Sequence, residues 1–312
     1  MMSAEYWYHL HFKLRLYEAD GNAFQRLVAD ILHAAFPDFE PVAPAGRYGD
    51  GGNDGFIRGE GRYFQVYGPH AGSAPQPADV VRKVKEDFAK LRQRYPNLQR
   101  YSFVMNDRYR GVPANVSDAL LALEQETGVA CDAVASHVLA DLFMKLPEVR
   151  RQMILGGVPT TLPEYVDPRA VAEVLQHLAD APMRVDPSRE RAPDFEEKIR
   201  FNGLPPAVAD RLRSMSYQCG TVEDFLASRG RHLAQAIAME LRELYAQSLA
   251  TVTSDDADTS ALRYVWMIEQ LLPPVEHPHS LKAYREAAEV VLAKYFESCD
   301  VYAQPGPGRC AP

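Results

Sequence analysis

Apolar residues recur at helical spacing between Asn22 and Phe36, where Phe24, Leu27, Val28, Ile31, Leu32 and Ala35 share one face. Asp20 or Asn22 can cap this helix and Pro37 ends it. Phe39 to Val42 reads as a short strand, and residues 46–55 are rich in turn formers. Gly55 to Arg58 and Arg62 to Tyr67 then predict a hairpin around Gly59-Glu60-Gly61, a loop with the glycines such a turn needs. A polar loop, Gly68 to Pro77, leads to a helix from about Ala78 to Tyr95 with Val81, Val84, Phe88, Leu91 and Tyr95 inward. Tyr101-Ser-Phe-Val-Met105, mostly apolar, reads as a buried strand. Asp118 to Thr127 is helical, Gly128 closes it, and Val129 to Val134 is a last strand. Strand, helix and buried strand in succession predict a right-handed crossover in a mixed α/β sheet flanked by helices.

The pattern changes after about Leu155. Gly156 to Pro163 reads as a linker, and beyond it helical periodicity dominates with almost no strand signal. Helices are expected at 168–179, 205–215, 222–249, 260–272 and 282–296, with polar breaks at 182–193 and 253–258. The expected organisation is an α/β domain over 1–155, a linker at 156–165 and an all-α partner or oligomerisation domain over 166–303. A disordered Pro/Gly-rich tail is expected at 304–312.

Composition narrows the classes. At 312 residues, 46% hydrophobic and 24% charged, the chain is an ordinary globular protein long enough for two domains. No apolar run approaches the roughly twenty residues of a membrane span. Met1 to Phe12 does not have the layout of a signal peptide. Cys131, Cys219, Cys299 and Cys310 lie far apart without CxxC spacing, which argues against a zinc site or a disulfide scaffold and for a reducing cytoplasm. The net charge of −8 disfavours whole-surface attraction to nucleic acid and leaves room only for a local basic patch.

The stretch Tyr48-Gly-Asp50-Gly-Gly-Asn-Asp54-Gly55, followed by Tyr63-Phe-Gln65-Val66-Tyr67, carries the candidate chemistry. A divalent metal that cleaves phosphodiesters needs hard oxygen ligands converging from a rigid support. Asp54 stands at a strand start and Gln65 in the next strand, so a hairpin of this length can present both on one edge of the sheet. Strand alternation puts Phe64 and Val66 on one face and Gln65 with Tyr67 on the other. Asp50 is a second possible oxygen ligand, and glycines at 49, 51, 52 and 55 let backbone approach a phosphate. The plain structural alternative is a turn aspartate and a hydrogen-bonded strand amide.

This arrangement resembles the restriction-endonuclease-like superfamily, whose motif is an Asp, a short interval, then Glu/Asp-x-Lys. It is most similar to the branch with Gly-Asp-Gly-Gly-x-Asp-Gly followed by Gln-x-Lys or Gln-x-Tyr. The resemblance implies Asp54 as the central Mg²⁺ or Mn²⁺ ligand, Gln65 as the second and the Val66 carbonyl as a third, with Gln25 on the preceding helix orienting metal-bound water. Tyr67 stands where the family's Lys would stabilise charge on the scissile phosphate; a phenol carries no positive charge near neutral pH. Lys83 or Lys85 on the following helix could substitute. Gly49-Asp50…Asn53-Asp54-Gly55, Phe64-Gln-Val-Tyr-Gly-Pro69 and Phe103-Val-Met-Asn-Asp107 also resemble the N-terminal domain of proteins of bacterial ABC-three-component defence systems. Glu197-Lys-Ile-Arg-Phe-Asn-Gly-Leu204 and Tyr295-Phe-Glu-Ser-Cys-Asp300 resemble the helical C-terminal domain of those systems. The resemblance implies an antiphage effector beside a separately encoded ABC/SMC-type ATPase.

Arg82, Lys83, Lys85 and Lys90, together with Arg47, are candidates for phosphate contacts, against the alternative of a solvated helix face with i,i+4 pairing. Asn106 and Asp107 read as turn chemistry. His277 and His279 read as loop residues, and Cys299 as a structural thiol. The expected function is a Mg²⁺-dependent endonuclease on DNA, double-stranded by preference, homo-oligomeric and controlled by a partner or by assembly. The alternative is an inert nucleic-acid-binding adaptor between a sensor and the ATPase.

Overall fold

The computed structural model describes residues 4–42, 52–70, 76–179, 194–229, 231–253, 257–274, 281–298 and 301–304. The polar break at 182–193, His277, His279, Cys299, Cys310 and residues 305–312 of the tail lie outside them. The chain divides into two compact units, Arg15–Ile154 and Met1–Leu14 together with Leu155–Pro312. Residues 1–14, placed by sequence with the α/β domain, thus group with the C-terminal helices.

The first helix, α1 (Ala4–Glu18), has no counterpart in the sequence reading. Trp7, Tyr8, Leu10, His11, Phe12, Lys13, Leu14 and Leu16 are all buried. A helix buried all round shows no amphipathic period.

In the unit Arg15–Ile154, α2 (Gly21–Ala35) precedes β1 (Phe39–Pro41), β2 (Gly55–Ile57) and β3 (Arg62–Tyr67). Then come α3 (Pro77–Arg94), β4 (Arg100–Met105), α4 (Ala114–Thr127), β5 (Ala130–Val134), α5 (Ser136–Lys145) and α6 (Glu148–Leu155). The five strands lie in sequence order, β1 and β2 antiparallel to their successors, β3, β4 and β5 parallel. The parallel steps are made by α3 and α4, as crossovers require. The hairpin turns through a 3-10 segment, Arg58–Glu60, closed by Gly61 at φ 58°. A Cβ at Gly61 would lie 2.4 Å from the Asn97 carbonyl oxygen, so the position admits only glycine.

One face of the sheet, with Tyr63, Tyr101, Phe103 and Met105, packs under Val84, Phe88 and Leu91 of α3 and Val116 and Leu120 of α4. Phe24, Val28 and Ile31 are buried on α2, which lies against β1, β3 and α5. On α3 the buried positions are Val80, Val84, Asp87, Phe88 and Leu91. Val81, expected inward, is only partly buried, and Val80 takes the core position. Helix α4 starts at Ala114, earlier than expected, and α5 and α6 add helix where no element was expected.

The second unit holds α7 (Pro168–Ala179), α8 (Phe195–Phe201), α9 (Pro206–Ser216), α10 (Gly220–Arg229), α11 (Arg231–Thr251), α12 (Thr259–Gln270) and α13 (Leu281–Glu297). The single helix expected over 222–249 is two among the described residues, α10 ending at Arg229 and α11 starting at Arg231. α8 was not expected; its Asp194 cap accepts from the Glu196 and Glu197 N–H groups. Buried charge pairs cross this unit. Arg211 meets Glu289 at 2.8 Å, Arg285 meets Glu269 at 2.7 Å, and His11 of α1 meets Glu269 at 3.3 Å. Among the described residues, no helix is long and apolar enough to cross a membrane.

Candidate functional site

The site is built where β2 begins. Asn53 is fully buried; its side-chain oxygen accepts from the Gly55 N–H at 3.0 Å, turning the chain into the strand. Asp54 is stitched on both sides: its N–H donates to the Phe64 carbonyl at 2.8 Å and its carbonyl accepts from Val42 N–H at 3.0 Å. With Gly55 opposite Phe64, Asp54 and Gln65 occupy the next positions of the two strands.

Asp54 is 6% exposed. Its Oδ1 accepts from Gln25 Nε2 of α2, and its Oδ2 accepts from the Val66 N–H at 2.6 Å. Two neutral donors thus orient a buried carboxylate. Gln65 is 3% exposed. Its Nε2 reaches the Val66 carbonyl at 3.4 Å, and its Oε1 is buried with no hydrogen-bond partner. A buried polar atom left unsatisfied costs about 1–3 kcal/mol, so the Gln65 Oε1 is a vacant acceptor position that a ligand would relieve.

Tyr67 is half-buried and stacks on Phe103 with ring centroids 6.0 Å apart. Burial raises its pKa, with the Lys83 charge opposing, so the phenol is neutral. Lys83 and Lys90 converge on Asp87 of α3, at 2.8 Å to Oδ2 and 3.0 Å to Oδ1. Lys85, two residues from Lys83 and therefore about 200° around the helix, is exposed on another side. Arg82 is tied along the outer face to Asp79 at 3.3 Å and Glu86 at 3.5 Å. Asp50 and Arg47 lie outside the described residues.

The structure therefore brings Gln25, Asp54, Gln65 and Val66 together and sets Tyr67 and Lys83 in one electrostatic neighbourhood, while Lys85 and Arg82 stand apart. Sequence reading passed over Asp87, which is 3% exposed. Its signal was present: four residues after Lys83, three before Lys90, and in step with Val80, Val84 and Leu91 on the apolar stripe. Among the described residues, no group of three His, Cys, Asp or Glu side chains is placed to hold a metal.

The C-terminal helices are assigned by their sequence. Residues 169–303 match the family model of C-terminal domain 10 of the ABC-three component (ABC-3C) systems. The match runs from α7 to the last described residues, so the C-terminal part of this chain is ABC-3C in kind. Trp7 and His11 of α1, outside the matched range, complete the core of the same unit. Trp7 lies under the Arg211 guanidinium at 4.5 Å. No curated protein and no solved structure matches the chain.

Proposed function

We propose that the N-terminal unit is a metal-dependent nuclease domain of the restriction-endonuclease-like kind, acting on DNA within an ABC-3C antiphage system. One observation carries this reading: a buried Asp54 carboxylate, oriented by Gln25 and the Val66 N–H, beside the unpartnered Gln65 Oε1. The donor set is all oxygen, which suits Mg²⁺ or Mn²⁺ over softer metals. A single carboxylate gives a weak site, consistent with a cation that keeps several waters and takes further ligands from the substrate phosphate.

Asp54, Gln65 Oε1 and the Val66 carbonyl would hold the ion, and Gln25 positions the Asp54 carboxylate. The ion, when bound, supplies charge neutralisation at the scissile phosphate and activation of water. The chain's own contribution is a rigid, dry support. Asn53 and the β1–β3 ladder fix the Asp54 backbone, and the Phe103 stack fixes Tyr67. The net charge of −8 supports control by assembly, with DNA presented by a partner such as an ABC-type ATPase that meets the helical domain or an oligomer of it.

A specific observation favours a second reading, an inert nucleic-acid-binding adaptor. Gln65 and Tyr67 bring no charge to the site, and among the described residues no group of three His, Cys, Asp or Glu side chains is placed to hold a metal. Calorimetric Mn²⁺ titration decides between them. The nuclease reading expects Mn²⁺ binding that disappears in Asp54→Asn without a change in melting temperature, and partner-dependent DNA cleavage lost in the same variant. Equal cleavage by wild type and Asp54→Asn overturns it, and no binding at millimolar metal supports the adaptor.

A further inference from the structure

Strands β3, β4 and β5 are parallel, so Tyr67, Met105 and Val134 end on one edge of the sheet. Ligands of open α/β sheets bind off that edge, where the loops after the strands converge. The loop after β4 carries chemistry there that the candidate site does not use. It is anchored at both ends: the Asn106 N–H donates to the Tyr67 carbonyl at 3.1 Å, and Asp107 accepts from the Ser136 and Gly111 N–H groups. Between the anchors, Arg108 and Tyr109 take left-handed backbone at φ 49° and 61°. Two consecutive non-glycine residues in that region are strained, and such strain clusters at segments that hold ligands.

The Arg108 side chain crosses to the loop after β3, where its Nη2 donates to the Pro69 carbonyl at 3.1 Å. Its Nε–H is buried without a hydrogen-bond partner, and among the described residues it makes no ion pair. The adjacent carboxylate, Asp107, is taken up by backbone N–H groups instead. A guanidinium has five N–H donors, so the Pro69 bond pins the group and leaves donors of its fork uncommitted. Pro69 is four residues past Gln65, no more than about 14 Å along an extended chain. That is roughly four rises of a nucleic-acid strand.

Tyr109 opens an aromatic cluster beside this arginine. Its ring lies 6.1 Å from that of Tyr17, tilted by 35°, and 4.8 Å from His137, edge to face. Tyr17 and Tyr109 are half-buried, and His137, in the first turn of α5, is exposed. All of these residues belong to the unit Arg15–Ile154.

We propose that the loop after β4 is a subsite for an unpaired nucleotide of a nucleic-acid strand, Arg108 taking its phosphate and the Tyr17–Tyr109–His137 cluster stacking its base. A planar fork matches two phosphate oxygens, and every base offers a flat face to aromatic rings. The proposal rests on the nuclease reading for the class of ligand; the contact itself needs no metal. It brings a positive charge to the sheet edge near a site where Gln65 and Tyr67 bring none.

The test is binding of a fluorescein-labelled single-stranded deoxyoligonucleotide by the full-length protein in EDTA, across a salt series. Arg108→Gln is expected to weaken binding about tenfold and to reduce the slope of log K against log salt by about 0.7, the single-strand value for one phosphate. His137→Ala, at an exposed position that the fold does not need, is expected to weaken binding about fivefold at unchanged slope. Both variants are expected to melt near wild type. If Arg108 serves only to pin the Pro69 loop, Arg108→Gln lowers the melting temperature and leaves the slope unchanged, and the proposal fails. It fails too if wild type binds no oligonucleotide at low salt, or if a complementary duplex binds as tightly as the single strand. Competition by dTMP as tight as the oligonucleotide itself would make the ligand a free nucleotide and overturn it as well. Arg108-dependent binding without any Mn²⁺ binding would sink the nuclease reading and leave the subsite standing. Mn²⁺ binding that Asp54→Asn abolishes, with oligonucleotide binding indifferent to Arg108 and His137, would do the reverse.

Discussion

Among the described residues of the α/β unit, Asp54, Asp87 and Asp107 are almost fully buried, and each is satisfied differently. Asp54 takes a side-chain amide and a backbone N–H, Asp87 takes two ammonium groups, and Asp107 takes the Ser136 N–H at 2.7 Å and the Gly111 N–H at 2.8 Å. Asp107 thus caps the start of α5 from the loop after β4, where Arg108 and Tyr109 adopt left-handed backbone. Its neighbour Asn106 donates to the Leu16 and Ala19 carbonyls, both at 2.8 Å. This is turn and capping chemistry, so Asp107→Ala should cost about 2 kcal/mol in urea unfolding while Mn²⁺ affinity stays unchanged. Loss of Mn²⁺ binding at unchanged stability would move Asp107 from scaffold to site.

The hairpin and α3 meet through Gly52, whose φ of 80° and contact with the Asp87 carbonyl leave no room for a side chain. Gly52→Ala should destabilise by roughly 2 kcal/mol and weaken Mn²⁺ binding, because the strain falls on the loop that carries Asp54. A variant with wild-type stability and metal affinity would show that the loop is not held against α3. Elements with one apolar face, such as α2, α3, α7 and the β2–β3 hairpin, were readable because their period is set by half-burial. α1 was not, because residues 10–14 are all buried and the polar His11 and Lys13 among them break the apolar period. On α3 the inner stripe was read without Asp87, since a carboxylate in step with Val84 and Leu91 becomes interpretable only when its lysines are seen to reach it.

At the scale of the molecule, the helical unit carries opposed titrations. Burial alone would raise the Glu269 carboxyl, but the His11 hydrogen bond and the Arg285 charge win and hold it at about 2. Burial pushes His11 itself toward its neutral form, so it serves Glu269 chiefly as an N–H donor and the charge comes from Arg285. Glu289 goes the other way, raised by burial beyond what Arg211 pulls back. A depressed carboxyl gives stability that is present above its unfolded value, near 4.3, and is lost as pH falls toward 2. A raised one gives stability that is present below about 4.3 and is lost as pH rises through its folded value. Acidification from pH 7 should therefore draw a favourable contribution from Glu289 first, then lose roughly 3 kcal/mol through Glu269 below about pH 4.3. Urea unfolding against pH checks this: Glu289→Gln should flatten the upper limb and Glu269→Gln the lower. Parallel curves for the two variants and wild type would contradict it.

By itself the sequence determined the amphipathic elements, a helical crossover within a mixed sheet, the change to helices after Leu155 and the match of residues 169–303 to an ABC-3C C-terminal domain. These follow from local periodicity and from motif chemistry, which survive without knowing what touches what. Only the tertiary structure decided that residues 1–14 group with the C-terminal helices. Only it showed that Gln25 meets Asp54, that Gln65 keeps an unpartnered oxygen, and that Lys83 rather than Lys85 pairs with Asp87. Those facts depend on long-range packing and on rotation about a helix axis, where a shift of two residues turns a side chain to the opposite side.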